Sequence, residues 1–153
     1  MRRNLFLSHD WGQDPAYTNH QRVKRISEEL ERRGFAVWLD EVQMIGDIRD
    51  RMAQGIDSCD LCVVFVTANY MRKVNQDDVR DNCKFEFMHA FRSLGAQKMI
   101  PVVMEAGMTN QRGWTGTLAA SIGGHLFADF SEDNPTKFAE GMAELKRQAR
   151  ALL

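Results

Sequence analysis

Asp60-Leu61-Cys62-Val63-Val64-Phe65-Val66-Thr67 is an apolar run with polar ends and no alternation. A strand with one wet face alternates, so an unbroken run of this length reads as a strand buried on both faces. That is the signature of a central strand in a parallel sheet covered by helices. Upstream, Ile48, Met52 and Ile56 recur at helical spacing, with Asp47 placed to cap that helix. Phe35 to Leu39 forms another strand, and the loop after it, Asp40 to Gly46, has an apolar tip. Further back, Val23, Ile26 and Leu30 share a helix face that Gly34 ends, and Thr18-Asn19-His20-Gln21 has the form of a capping box. Asn4 to Ser8 is the first strand.

Downstream, a polar loop containing Asp77 and Asp78 leads into a helix, Asp81 to Phe91 and beyond. Met99 to Met104 is a strand, placed toward an edge because Pro101 cannot donate to a ladder. The Gly/Thr/Ser-rich stretch 107–124 gives no clear element. His125 to Phe130 reads as the last strand. Pro135 suits the first turn of a closing helix with Phe138, Met142, Leu145, Ala149 and Leu152 on its inner face. The order β-α-β-α-β-α-β-x-β-α predicts an α/β, flavodoxin-like three-layer sandwich: a five-stranded parallel sheet with helices on both faces. Ligands of such sheets bind at the carboxyl ends of the strands. Here those ends carry Ser8 to Gly12, Asp40 to Gly46, Thr67 to Tyr70 and the residues leading into Glu86.

The chain has 153 residues, 44% apolar and 27% charged, with a formal net charge of −1. That length suits one domain, residues 1–153, and the charge gives no field for nucleic acid or anionic lipid. No apolar run approaches the roughly 20 residues of a membrane span, and the N-terminal stretch is no signal peptide. The basic cluster of Arg22, Lys24, Arg25, Arg32 and Arg33 reads as a solvated helix face. Three cysteines without framework spacing suit a reducing cytosol, so a cytoplasmic location is expected. Cys59-x-x-Cys62 runs into a strand instead of opening a helix, so it reads as core and not as a redox pair. Its four histidines make no HExxH or HxxxH grouping, so no metal site is expected. GxSxG, GxxxxGK[ST] and GxGxxG are absent, which removes the hydrolase nucleophile and the phosphate cradles. Thr67 stands where a receiver domain would carry its aspartate.

Glu86 is the residue that stands out. At about 100° per residue, Cys83, Ala90, Leu94, Phe87 and Phe91 fall on an arc from about 40° to 140° from it. Glu86 lies at the border of that stripe, and Phe85 falls on the outer side. Position alone fits either a boundary glutamate with its head in water or a carboxylate held at a cleft edge.

Several stretches together resemble the Toll/interleukin-1 receptor (TIR) domain family. LFLSHD (5–10) is similar to its first box. GFAVWLDEVQMIGDIRDRMAQGIDSCDLCVVFVT (34–67) is similar to its second strand, BB loop, second helix and third strand. CKFE (83–86) resembles the Cys-x-x-Glu of its third helix, and KMIPVVME (98–105) its fourth strand. The likeness covers about residues 3 to 150.

The resemblance, in its NAD-cleaving branch, implies an NAD+ nucleosidase that breaks the nicotinamide–ribose bond. Activation would come through TIR self-association, in immune or cell-death signalling. It implies Glu86 as the catalytic residue. It implies substrate contacts from Ser8, His9, Asp10 and Trp11 after the first strand, from Met44, Ile45 and Gly46 in the BB loop, and from Cys83. NAD+ would be substrate, with no cofactor. The partners would be other TIR domains, met through Met44 and Ile45. Two departures are visible: Asn82 stands where the family often has an aromatic, and Asp10 and Trp11 stand where some enzymatic members have basic residues. The resemblance equally admits a non-enzymatic scaffold that signals by homotypic association. A third reading is another flavodoxin-like nucleotide binder.

Overall fold

In the computed structural model, residues 4–41, 48–78 and 80–153 are described. Strand β3 (Leu61–Val66) lies at the centre, and all six of its residues are buried. β1 (Leu5–Ser8) pairs with one side of it, from Leu5 opposite Leu61 to Ser8 opposite Val64. β4 (Met99–Val103) pairs with the other, from Cys62 opposite Met99 to Val66 opposite Val103. Short outer strands complete the sheet: β2 (Val37–Trp38) beside β1 and β5 (Ala128–Asp129) beside β4. The order is β2-β1-β3-β4-β5, all parallel, as the alternation of elements predicts.

Side chains alternate across a strand, so each strand feeds two cores. Leu5, Leu7, Val63, Phe65, Ile100 and Val102 face α1 (Thr18–Arg32) and α6 (Pro135–Leu152). Phe6, Cys62, Val64, Val66, Met99 and Val103 face the opposite layer. That layer comprises α2 (Arg49–Asp57), α3 (Ala68–Asn75), α4 (Asn82–Leu94) and α5 (Gly116–Ile122). Ser8 shares the parity of Phe6 and therefore points into this second layer.

The helix ends show which local rules operate. Gly34, at φ +97°, lets Phe35 N–H return to the Leu30 carbonyl and Gly34 N–H to that of Glu31, a Schellman closure of α1. At the other end of α1 the expected capping box is absent. Thr18 is the first helical residue, and Tyr17 stands at the cap in the left-handed region (φ 51°, ψ 53°). The Asp14 carboxylate instead accepts from the Thr18 amide and hydroxyl, and the Gln21 amide bonds the Tyr17 carbonyl. Asp47 lies outside the described residues, and α2 begins after Ile48 with no side-chain cap.

Two expectations about elements are corrected. Where the sequence suggests only a polar loop after β3, the structure has α3, which Thr67 caps by accepting from the Tyr70 amide at 2.9 Å. β4 is interior, one strand in from the edge β5. Val103 O accepts from Phe130 on the β5 side, and backbone groups alternate, so Pro101 faces that side too. β5 pairs only from Val102 onward, so Pro101 leaves no ladder bond unmade. The predicted inner face of α6 is observed: Met142, Leu145 and Ala149 are buried, with Phe138 and Leu152 packed beside them.

Candidate active site

The strand order reverses between β1 and β3, and in this class of sheet that switch point is where ligands bind. Ser8 ends β1 there, Thr67 and Tyr70 follow β3, and α4 lies across both. The Ser8 hydroxyl donates to Glu86 Oε1 at 2.8 Å and lies 2.7 Å from the Tyr70 hydroxyl. Ser8 and Tyr70 are fully buried, and Glu86 is 9% exposed.

Glu86 lies at the border of the stripe, as expected, yet it is buried there instead of reaching water. Cys83, Phe87 and Ala90 are buried with it, whereas Phe91 is 37% exposed. The buried arc runs from about 0° to 100°, rotated toward Glu86 because α4 also docks on α2 and α3. Phe85, expected on the outer side, is half-buried, stacked on His89 and lying under the Arg49 guanidinium at 5.5 Å.

Burial pushes the Glu86 carboxyl up to about 8. The Ser8 hydrogen bond and Lys73 pull it down, while Asp40 and Asp81 add to the rise. Lys73 lies 3.6 Å from both Asp10 and Asp81. Burial opposes its charge, but Cys83, Asp81 and Asp10 outweigh that and hold its pKa above the usual value. Asp40, at the end of β2, is also raised, chiefly by burial, and its Oδ1 has no hydrogen-bond partner among the described residues.

The residues after β1 are gathered over α1. His9 Nε2 and His20 Nδ1 are 2.7 Å apart, and Trp11 stacks on His20 at 3.6 Å and 7°. Desolvation, with His20 next, lowers His9 to about 3, so its imidazole is neutral. Asp10 accepts from the Gly12 amide, and its carbonyl accepts from Asn19. Trp11 is half-buried, with one face taken by His20. Cys83 donates to the His9 carbonyl at 3.5 Å, tying α4 to the end of β1.

Of the residues singled out from sequence, the fold brings Ser8, Cys83 and Glu86 into one buried cluster. His9, Asp10 and Trp11 lie at its rim. Met44, Ile45 and Gly46 lie outside the described residues. Among the described residues the Ser8 hydroxyl is hydrogen-bonded to Glu86 and Tyr70, so it orients the carboxylate. Tyr70, Lys73, Asp81 and His20 were not assigned roles from the sequence. The spacing Thr67-x-x-Tyr70 followed by Val74 carries the signal of a capped amphipathic turn that places Tyr70 inward.

Two other groupings do not make a site. Ser93, His89 and Asp57 touch, but both partners bond the same imidazole nitrogen, so the relay of a hydrolytic triad is not formed. On the opposite face a depression of about 220 Å³ is lined by Arg22, Arg25 and Phe130 among others. There Arg22 bonds the Met104 and Phe130 carbonyls, and both arginines lie near Asp133.

Among solved structures, the fold is similar to the crystal structure of a prokaryotic SEFIR domain. The TM-score is 0.66 at 17% identity, covering 96% of this chain and 98% of that one. It is also similar to the TIR domains of the activated Roq1 resistosome directly recognizing the pathogen effector XopQ. There the TM-score is 0.52 at 18% identity, covering 97% and 84%. No curated protein sequence shows significant similarity to the chain. At these identities the structural likeness is one of fold. The sequence itself matches the model of the TIR domain over residues 5–146. That span runs from the first residue of β1 into α6 and takes in every strand and the whole Ser8–Tyr70–Glu86 cluster, and by it the chain belongs to the TIR domain family.

Proposed function

We propose that the chain is an NAD+ nucleosidase whose catalytic group is Glu86. The observation that carries this reading is a single carboxylate, buried at the topological switch point and held by a directed hydroxyl hydrogen bond. A glutamate serving only solubility would have its head in water.

One carboxylate suffices for this chemistry. Ordinary glycosidases need a second to protonate the leaving alcohol. In NAD+ the electron pair of the C1′–N bond passes to the pyridinium nitrogen, and nicotinamide leaves neutral. Positive charge then develops on the ribose, and a fixed carboxylate beside it stabilises that charge. Water, or a nitrogen of the adenine, captures C1′ and releases a proton; these two routes give linear or cyclic ADP-ribose. In the free protein Glu86 holds its proton near neutrality. The cationic nicotinamide ring favours the ionised form, so binding and deprotonation are coupled.

Trp11, half-buried at the rim, offers an aromatic surface for a base or the nicotinamide ring. Asp10, held by Gly12 and Lys73, is placed to bond hydroxyls. Membership of the family supports a signalling role, and TIR domains generally interact with one another. Self-association through Met44 and Ile45 would bring a second copy to the site. Among the described residues no helix is long and apolar enough to cross a membrane. The three buried cysteines, none of them in a disulfide, fit a reducing compartment such as the cytosol.

The test is nicotinamide release from NAD+ by the purified chain across a range of protein concentrations, beside Glu86→Gln. Release that rises more than linearly with protein and drops at least about 100-fold in the variant is expected. If both proteins leave NAD+ intact when clustered, the enzymatic reading falls. The homotypic scaffold then takes its place, to be tested by substituting Met44 and Ile45.

A further inference from the structure

Ser8 has one hydroxyl hydrogen and two oxygen neighbours, Glu86 Oε1 and the Tyr70 hydroxyl. An ionised carboxylate only accepts hydrogen bonds. When Glu86 is charged, the Ser8 hydrogen is therefore committed to it, and the Tyr70 hydroxyl must donate to Ser8. The chain then has one direction, Tyr70 to Ser8 to Glu86, and each bond polarises the next. When Glu86 carries a proton, the chain is free to run in reverse.

The three groups come from β1, α3 and α4, with 62 and 78 residues separating Ser8 from its partners. Thr67 fixes Tyr70 in the first turn of α3. The phenol thereby enters a cluster otherwise lined by Phe6, Cys62, Val64, Cys83 and Phe87. A phenylalanine would fill that volume without placing a hydroxyl out of water. Burying the hydroxyl costs stability unless it is bonded, and Ser8 is its partner. Tyr70 is fully buried, so the chain ends in the core and is no path for protons to solvent.

We propose that Tyr70 is a positioning residue: through Ser8 it fixes the orientation of the Glu86 carboxylate and favours its ionised form. This rests on the reading of Glu86 as the catalytic group. The charges and thiols facing Glu86 are Asp40 after β2, Lys73 on α3, Asp81 at the cap of α4, Cys62 on β3 and Cys83 on α4. Tyr70→Phe leaves all of them in place and removes one donor.

The test follows Glu86 directly by carbon-13 NMR of side-chain carboxyls in the full chain, its signal identified by loss in Glu86→Gln. In Tyr70→Phe the titration moves up by about half a unit, and in Ser8→Ala by about one unit or more. Ser8→Thr, which keeps the hydroxyl, holds it near the wild-type position. The pH profile of kcat/KM for nicotinamide release moves with the titration. A Glu86 titration in folded Tyr70→Phe that coincides with wild type overturns the proposal.

Fluorotyrosine incorporation in a Tyr17→Phe background strengthens the only remaining phenol donor, since the chain has two tyrosines. It lowers the Glu86 titration, and an unmoved titration there also overturns the link, whether or not Tyr70→Phe folds. If wild type leaves NAD+ intact while the titrations move as expected, the Tyr70 link stands and the nucleosidase reading falls.

Discussion

On the face covered by α1 and α6, the sheet presents Leu5, Leu7, Val63, Phe65, Ile100 and Val102, carbon against carbon throughout. On the other face, the last position of β1 is a serine, and the helices facing it bring a phenol and a carboxylate to meet it. Within its strands the first face only buries area; its buried polar groups, His9, His20 and Ser27, lie past the end of β1 or on α1. The second interrupts an equally apolar cluster with three polar groups that satisfy one another. Placing Glu86 there costs stability whenever it is charged, because the low-dielectric surroundings favour its neutral form. That cost is what distinguishes a site from a core, and the apolar strand positions of the first face help to offset it.

The largest expected effect lies on the apolar face. Phe65 is fully buried between α1, α6 and the sheet. Phe65→Ala is expected to cost about 3–5 kcal/mol in urea unfolding. The Glu86 titration should stay unchanged. A shift in that titration would mean that the two faces are coupled through the sheet.

The next effect uses pH. Glu86 holds its proton to about 8 in the folded chain and releases it near 4.5 when unfolded. Between those values the native state binds more protons, so stability falls as pH rises and levels off above about 8. His9, on the α1 side, has the opposite sign. Folded, it stays neutral down to about 3, whereas unfolded it charges near 6.5, so stability falls as pH drops through that range. The slopes oppose each other from about 4.5 to 6.5, and from there to about 8 His9 no longer opposes the Glu86 slope. Glu86→Gln is therefore expected to gain on wild type as pH rises, by on the order of a few kcal/mol at pH 9. Near pH 5 it gains little, as read by unfolding across pH. A variant that runs parallel to wild type at every pH would show that Glu86 is solvated, removing the contrast between the faces.

How much of this was legible in the sequence follows the same division. The apolar runs of β1, β3 and β4 and the inner face of α6 are patterns of carbon, and period alone exposes them. α3 shows no clear apolar stripe in the sequence because half of its eight residues are polar and only Tyr70 and Val74 are buried. Periodicity puts Glu86 at the end of the apolar arc, but it does not give the angle at which neighbours dock and so leaves its burial open. Contacts with α2 and α3 turn α4 so that its buried arc ends at Glu86, which is covered, and leaves Phe91 exposed. Thr18 is not the cap because the helix already includes it: the Gln21 amide bonds the Tyr17 carbonyl, and the Asp14 carboxylate takes the Thr18 amide and hydroxyl. The Ser8–Tyr70 pair joins residues 62 apart, and no local rule reaches that far.

The smallest effects separate a cap that serves only its helix from one that also serves the site. Asn134 accepts from the Lys137 amide at 2.9 Å at the start of α6, and Asp81 accepts from the Lys84 amide at 3.0 Å at the start of α4. Asn134→Ala and Asp81→Ala should each cost about 1 kcal/mol, because each orphans an N-terminal donor. Asp81→Asn should cost little in the cap, since an amide oxygen serves there as well as a carboxylate. The charge is different. Asp81 pushes Glu86 up and sits 3.6 Å from Lys73, the one cation that pulls it down among its principal neighbours. Removing the negative charge by either Asp81 substitution should lower the Glu86 titration from about 8, with Lys73 still held by Asp10. Asn134→Ala should leave it where it is. Carbon-13 titration beside urea unfolding reads both quantities in one set of proteins. An Asp81→Asn titration identical to wild type would make Asp81 a cap like any other. A titration that falls while the helix keeps its stability would place Asp81 among the groups that set the proton on Glu86.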